Sequence, residues 1–256
     1  MTKPSRERTP AQPQPPAQPN AAPFPYRDYV AAREELQSAL CNGPVYLELT
    51  GGSGTGKSSL LSELTDRLDH HHLHPVYLSS SGTSSTNVAR FLARTVRVPP
   101  KRTHLETVQA LLDALTTQPA KLVVLVDEAD RIQPDALHEL RVLAECHRPG
   151  QQLFSVVLSG LPGLRETLGN PSLFPLKRRI AVRTALRGLT REELLPFLHH
   201  RFAPDADRVP AESHDALFER TRAIPGVIDR VVRHALRARS GGLYVDDIDA
   251  SLDLFA

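Results

Sequence analysis

Two hydrophobic rhythms alternate along the chain. Apolar residues recur at helical spacing in DYVAAREELQSAL (28–40), SSLLSELTDRLDH (58–70), TNVARFLARTV (86–96), HLETVQALLDAL (104–115) and PDALHELRVLAEC (134–146). Between them lie short β-branched or wholly apolar runs: VYLELT (45–50), HPVYLSS (74–80), LVVLV (122–126), FSVVLS (154–159) and IAVRTAL (180–186). LVVLV is apolar at every position, which predicts a central parallel strand covered on both faces. Strand and helix in alternation predict a doubly wound α/β fold with a five-stranded parallel sheet.

After Gly188 the strand rhythm stops. TREELLPFLHHRF (190–202) opens with Thr190 and Glu193 at capping-box spacing. Helical patterns follow at 211–222, 226–239 and 245–254, punctuated by Pro225 and Gly241-Gly242. The pattern predicts an α/β domain over 26–188 and a small all-helical domain over 189–256. Residues 1–25 are Pro, Gln, Ala and Asn with a few basic residues; such a stretch buries too little apolar surface to order itself and is expected to be a flexible tail.

Composition narrows the picture modestly. Apolar residues make up 40% of the 256 residues, enough for a packed core, and the formal net charge is +2. Any basic surface must therefore be local. Cys41 and Cys146 form no C-x-x-C pair, which argues for a reducing compartment. MTKPSRERTP has no apolar core of a secretory signal, and LVVLV is too short to span a bilayer. The expected location is the cytoplasm. The run His70, His71, His72 and His74 lacks the spacing of a metal site and reads as a solvated cluster.

The chemistry is concentrated at GGSGTGKSS (51–59). Gly51, Gly56, Lys57 and Ser58 fit G-x-x-x-x-G-K-[ST], directly after one predicted strand and at the head of a predicted helix. Backbone N–H groups of Gly51, Gly52, Ser53, Gly54, Thr55 and Gly56 can turn inward around a phosphate, and the helix dipole favours the negative charge. Lys57 then reaches the β- and γ-phosphates, Ser58 ligates magnesium and Ser59 continues the helix. Seventy residues on, LVVLVDEAD ends a strand in Asp127-Glu128. Asp127 is placed to hold the magnesium through water, and Glu128 to deprotonate an attacking water. Asp130 is read as a cap for the next helix. No Asn-Lys-x-Asp guanine signature is present, so ATP is favoured over GTP.

GGSGTGKSS, LVVLVDEADRI, VVLSGLPGLRETL and LKRRI occur in this order, followed by a helical region. This resembles the AAA+ P-loop ATPases grouped around ExeA and the transposition regulators TnsC, TniB and MuB, over about residues 24–254. The resemblance implies further roles. Ser159 matches the sensor 1 position, with a strand-end serine as the bland alternative. Arg178 or Arg179, more readily Arg179, matches an arginine finger acting on the next subunit of a hexameric ring or helical filament. Tyr26 and Arg27 lie where such proteins lean on adenine, or they pack against the lid. The sensor 2 arginine of ExeA-like proteins is replaced by Gly226, with Arg230 as a possible substitute one turn later. The departure favours the transposition branch and slow hydrolysis.

The resemblance implies an ATPase that assembles on double-stranded DNA and recruits or regulates a transposase. Lys101, Arg102 and Arg131 are the candidate phosphate contacts, each also readable as an ordinary solvated charge. Two alternatives stand beside it: an ExeA-like secretion or envelope-assembly ATPase, and an ATP-dependent protein-partner switch.

Overall fold

The computed structural model describes residues 22–43, 46–78, 84–146, 152–203, 205–238 and 244–253. Chain order is α1 (Arg27–Asn42), β1 (Tyr46–Gly51), α2 (Lys57–Arg67), β2 (Leu73–Leu78), α3 (Ser85–Thr95), α4 (His104–Thr117), β3 (Lys121–Val126), α5 (Pro134–Glu145), β4 (Phe154–Gly160), two short turns α6 (Leu164–Thr167) and α7 (Phe174–Lys177), and β5 (Ile180–Leu186). Helices α8 (Arg191–Phe202), α9 (His214–Arg220), α10 (Pro225–Ala238) and α11 (Val245–Asp253) follow.

The five strands form one parallel sheet in the order β2-β3-β4-β1-β5. Strand alternation sorts the core into two layers. In β3, Val123 and Leu125 join one layer, while Leu122, Val124 and Val126 join the other. All five are fully buried, which is why these five positions are apolar while Lys121 at the strand's start is not. The layer holding Val123 is built from α1, α2 and the C-terminal helices; the opposite layer is built from α3, α4, α5 and the short turns.

Local chemistry sets the helix ends. Thr103 and Glu106 close a capping box at α4, and Thr190 and Glu193 another at α8. Pro225 begins α10, where its missing N–H costs nothing. Leu198, Ile228, Val231 and Val232 are fully buried in the same layer as Leu47, Leu60 and Leu61, so α8 and α10 pack continuously with the sheet's helices.

Several boundaries differ from expectation. The pattern over 211–222 resolves into a turn over Ala211–Ser213 and the shorter helix α9. The Pro-rich stretch lies outside the described residues through 21, but Phe24 is anchored, its ring 5.5 Å from that of Phe197. Ser79, Ser80 and Gly241-Gly242 also lie outside them. Among the described residues no helix is long and apolar enough to cross a membrane.

Candidate nucleotide site

β1 delivers the chain to the Gly-rich loop, and α2 begins at Lys57. Gly56 caps this helix at φ 98°, a left-handed conformation that a side chain would strain. The carbonyl of Gly56 then accepts from Leu60 N at 2.9 Å, the first bond of the helix. Lys57 Nζ folds back on the loop and donates to the carbonyls of Gly51 and Gly52 at 2.9 and 3.0 Å. Burial pulls its pKa down, opposed by the nearby charges of Asp127, Asp130 and Glu128.

Parallel pairing of β3 beside β4 brings the acidic pair to the loop. Asp127 is 7% exposed and serves as a hub. Ser58 Oγ donates to Asp127 Oδ2 at 2.6 Å, and the phenol of Tyr77 donates to the same oxygen. Ser159 Oγ and the backbone N of Glu128 donate to Oδ1 at 3.2 and 3.0 Å. Ser159 is fully buried in β4 opposite Leu49 of β1, so it is a donor to the hub rather than a strand-end serine bonded to backbone. Ser58 and Asp127 are hard oxygen donors lying against each other, the donor type that suits magnesium. Among the described residues no cluster of three or more His, Cys, Asp or Glu forms a metal cage. A cation here would need phosphate and water oxygens to complete its shell.

Glu128 takes a positive φ of 50°, and its side chain is half-exposed. Its Oε2 lies 3.4 Å from Arg131 Nη1. Asp130 does not cap α5. It sits in a tight turn ahead of that helix, and its Oδ1 accepts from Leu161 N at 2.9 Å, tying the turn to the end of β4. A cavity of about 310 Å³ opens over these groups, lined by Ser53, Lys57, Ser58, Asp127, Glu128 and Arg131 among others.

On the other flank of the loop a second cavity of about 290 Å³ lies between the N-terminal segment, the loop and helices α8 and α10. Phe24, Tyr26, Tyr29 and Phe197 supply its aromatic wall; Thr55, Gly56 and Ser59 supply its floor. Tyr26 is buried and its hydroxyl donates to the carbonyl of Thr55 at 2.8 Å. Arg27 is not part of this cavity. Tyr26 is the extended cap ahead of α1, whereas Arg27 is its first helical residue, so the two side chains leave in different directions. The backbone N of Arg27 bonds Glu193 Oε1 at 2.6 Å, its side chain lies on Asp28 at 3.3 Å, and it faces a separate groove with Arg187.

The C-terminal helices correct a second expectation. Arg230 is exposed on α10 and lines neither cavity. The preceding residue, Asp229, faces the aromatic cavity and holds Arg201 at 2.5 Å and Arg233 at 2.9 Å. Gly226 N donates to the carbonyl of Gly54 at 2.9 Å, and a Cβ at 226 would lie 2.8 Å from that oxygen and 2.9 Å from Gly54 Cα. The close approach of α10 to the loop explains why no side chain, arginine included, occupies this position.

Arg178 and Arg179 lie at the far edge of the sheet from their own loop. Ile180 pairs with Tyr46, whereas Leu186 pairs with Gly51. Arg179 Nε lies 3.1 Å from Glu145 Oε1; Arg178 stacks 5.8 Å over Phe174. Lys101 and Arg102 are exposed in the loop before α4 and line neither cavity, whereas Arg131 lines the one beside Glu128.

Against known sequences, the pattern of the AAA domain family matches residues 43–168, from the start of β1 through the end of α6. The match covers just under half of the chain, and that stretch is similar to an AAA domain. The general secretion pathway protein A of Aeromonas hydrophila is 29% identical over 175 residues, which cover 66% of this chain and 32% of that protein. The ATP-dependent target DNA activator B of Escherichia phage D108 is 31% identical over 117 residues, covering 45% of this chain and 34% of that protein. The chain thus spans about a third of the length of these curated relatives.

Among solved structures, Cdc6p from Pyrobaculum aerophilum superposes with a TM-score of 0.65 at 18% identity, covering 86% of this chain and 64% of that one. The Aeropyrum pernix ORC2 protein gives 0.64 at 16%, over 93% and 69%. The RuvB Holliday junction branch migration motor of Thermotoga maritima gives 0.57 at 17%, over 89% and 68%. These likenesses establish the AAA+ P-loop fold.

Sequence pattern does not single out Tyr77, Phe24, Tyr29 or the Arg201–Asp229 pair. Tyr77 is the one within its reach: it stands near the end of the strand that pairs with β3, where Asp127 follows.

Proposed function

We propose that this chain is an ATP- and magnesium-dependent ATPase that assembles on double-stranded DNA and recruits or regulates a transposase. The observation that carries the nucleotide reading is the 2.6 Å contact between Ser58 of the loop and Asp127 after β3, across 69 residues of sequence. The DNA reading is supported by the 31% identity with the phage activator, whose name describes an ATP-dependent action on target DNA. It is also supported by Gly226, whose docking on Gly54 leaves no room for the arginine of the ExeA-like branch.

In this reading residues 26–188 bind nucleotide, 189–256 act as a helical lid, and the expected tail ends short of the anchored Phe24. The triphosphate lies over the loop, with the base in the aromatic cavity beside Tyr26. Lys57 exchanges the carbonyls of Gly51 and Gly52 for phosphate oxygens. Magnesium, bound by Ser58 and through water by Asp127, would neutralise charge on the β- and γ-phosphates. Glu128 takes the proton of the attacking water, and Ser159 keeps Asp127 aligned for that arrangement. Arg178 or Arg179 meets the γ-phosphate of a neighbouring subunit, since both stand at the opposite edge of the sheet from their own loop. Hydrolysis is slow without DNA or partner, and the protein works in the cytoplasm. Lys101 and Arg102 contact DNA phosphates; Arg131 joins them only if it leaves Glu128.

The test is ATP turnover with and without duplex DNA. Stimulation by DNA that Glu128→Gln abolishes supports the reading. Turnover indifferent to DNA of any length overturns the DNA part. The 29% identity with a secretion protein over 66% of the chain then favours a secretion-linked ATPase.

A further inference from the structure

We infer that Tyr77 is a positioning residue for the metal-binding carboxylate: its phenol holds Asp127 in place while Ser58 turns away to meet the cation. This rests on the reading above, in which Ser58 and Asp127 hold magnesium.

The strand sets the direction of the side chain. In β2, Val76 and Leu78 face the layer of α3 to α5, so Tyr77 between them faces the layer of α1 and α2. It stands beside Leu125 in the register of β3, one strand over from the acid that follows that strand. The ring packs against the core, and the hydroxyl reaches Asp127 Oδ2.

A carboxylate offers about four acceptor sites. Asp127 receives four donors here: Ser58 and Tyr77 on Oδ2, Ser159 and Glu128 N on Oδ1. One of the four cannot persist in a metal-bound state. The Ser58 hydroxyl must give its oxygen to the cation, and it stands on Asp127 only until then. On Oδ2 the donor that remains is Tyr77. Without it, Oδ2 loses both of these hydrogen bonds as Ser58 leaves, and the carboxylate is fixed from the Oδ1 side alone. A misplaced carboxylate weakens magnesium, whose octahedral geometry tolerates little displacement.

The experiment titrates magnesium against binding of a fluorescent ATP analogue, using the full chain, wild type and Tyr77→Phe. Analogue affinity in excess EDTA and thermal melting are measured on the same samples. The expected result is a magnesium half-saturation raised about three- to tenfold, the size of one ordinary net hydrogen bond, with affinity in EDTA unchanged. Replacing Tyr77 with p-aminophenylalanine, which keeps a donor at the same place, restores most of the shift. This variant also reports on the donor if Tyr77→Phe is poorly folded. An unchanged half-saturation in Tyr77→Phe overturns the inference, as does an equal loss of affinity with and without magnesium. Asp127→Asn separates the two levels. If it also leaves the magnesium dependence unchanged, the assignment of Asp127 itself fails. If it shifts the dependence and Tyr77→Phe does not, only the role of Tyr77 fails.

Discussion

The backbone N–H of Gly226 donates to the carbonyl of Gly54 at 2.9 Å, joining the first turn of α10 to the phosphate loop. Ile224 adds an apolar contact beside Gly52 and Gly54. A side chain at 226 would press on loop backbone, not on the end of a flexible side chain, so the loop or the helix has to move. Gly226→Ala is expected to cost about 1–3 kcal/mol, as overpacking does. That lowers the melting temperature by about 2–4 °C per kcal/mol for a chain of this size. Nucleotide affinity should fall with it, and Gly226→Arg should slow turnover rather than restore a sensor. Melting curves and nucleotide titrations on the two variants check this.

Acidification should weaken the fold through His74. Its Nε2 is buried and has no hydrogen-bond partner among the described residues, and burial holds the imidazole pKa below its ordinary 6.5. Well above that value both folded and unfolded chains carry neutral imidazole, and the contribution is complete. As pH falls through 6.5 the unfolded chain takes up the proton first, so stability declines with pH. His74→Leu should flatten this part of the profile, measured as melting temperature between about pH 7.5 and pH 5.5. An unchanged slope in the variant assigns the loss to other groups.

Glu48 is 1% exposed in β1 and is held by Arg165 Nε of α6 at 2.7 Å and Arg183 Nε of β5 at 3.5 Å, both half-exposed. Removing both arginines strands a buried carboxylate. Arg165→Ala with Arg183→Ala is expected to cost about 3–5 kcal/mol, and adding Glu48→Met should recover most of it. Urea denaturation of wild type, Glu48→Met alone, the double arginine variant and the triple variant closes the cycle. No recovery in the triple variant means that the arginines stabilise through packing rather than charge.

Tyr26 joins the N-terminal segment to the loop through its hydroxyl and Thr55 O. Tyr26→Phe keeps the ring in the aromatic cavity and removes that bond. It should cost about 1 kcal/mol of stability and weaken nucleotide binding by no more than about tenfold. Tyr26→Ala, which removes the wall as well, should weaken binding further. Equal effects of the two changes on nucleotide affinity would mean that the ring does not meet the base.

Residues that act through local sequence are legible in the chain itself. GGSGTGKSS and LVVLVDEAD each combine a strand end with the chemistry that follows it, and the fold brings Ser58 against Asp127. The two-sided burial of β3 is written in its unbroken apolar run. What the chain hides depends on packing between distant segments. Tyr77 and Asp127 meet because their strands are neighbours, and nothing local marks a tyrosine at a strand end as a donor. Tyr26 and Arg27 diverge because Tyr26 is the extended cap and Arg27 the first residue of α1, which a pair of adjacent letters hides. Gly226 reads as a missing arginine, but its cause is a backbone contact with a loop more than 170 residues earlier. Phe24 sits in a compositionally tail-like stretch and is held by Phe197 and His200 of α8.

The most direct measurement is assembly size by sedimentation and negative-stain microscopy, with ATP or ADP, with and without duplex DNA, for the wild-type chain and Glu128→Gln. A DNA-assembling ATPase gives rings or filaments that need ATP and DNA together, persist in Glu128→Gln and dissolve at high salt, as phosphate contacts require. A chain that stays small and ignores DNA in every nucleotide state contradicts the proposed function.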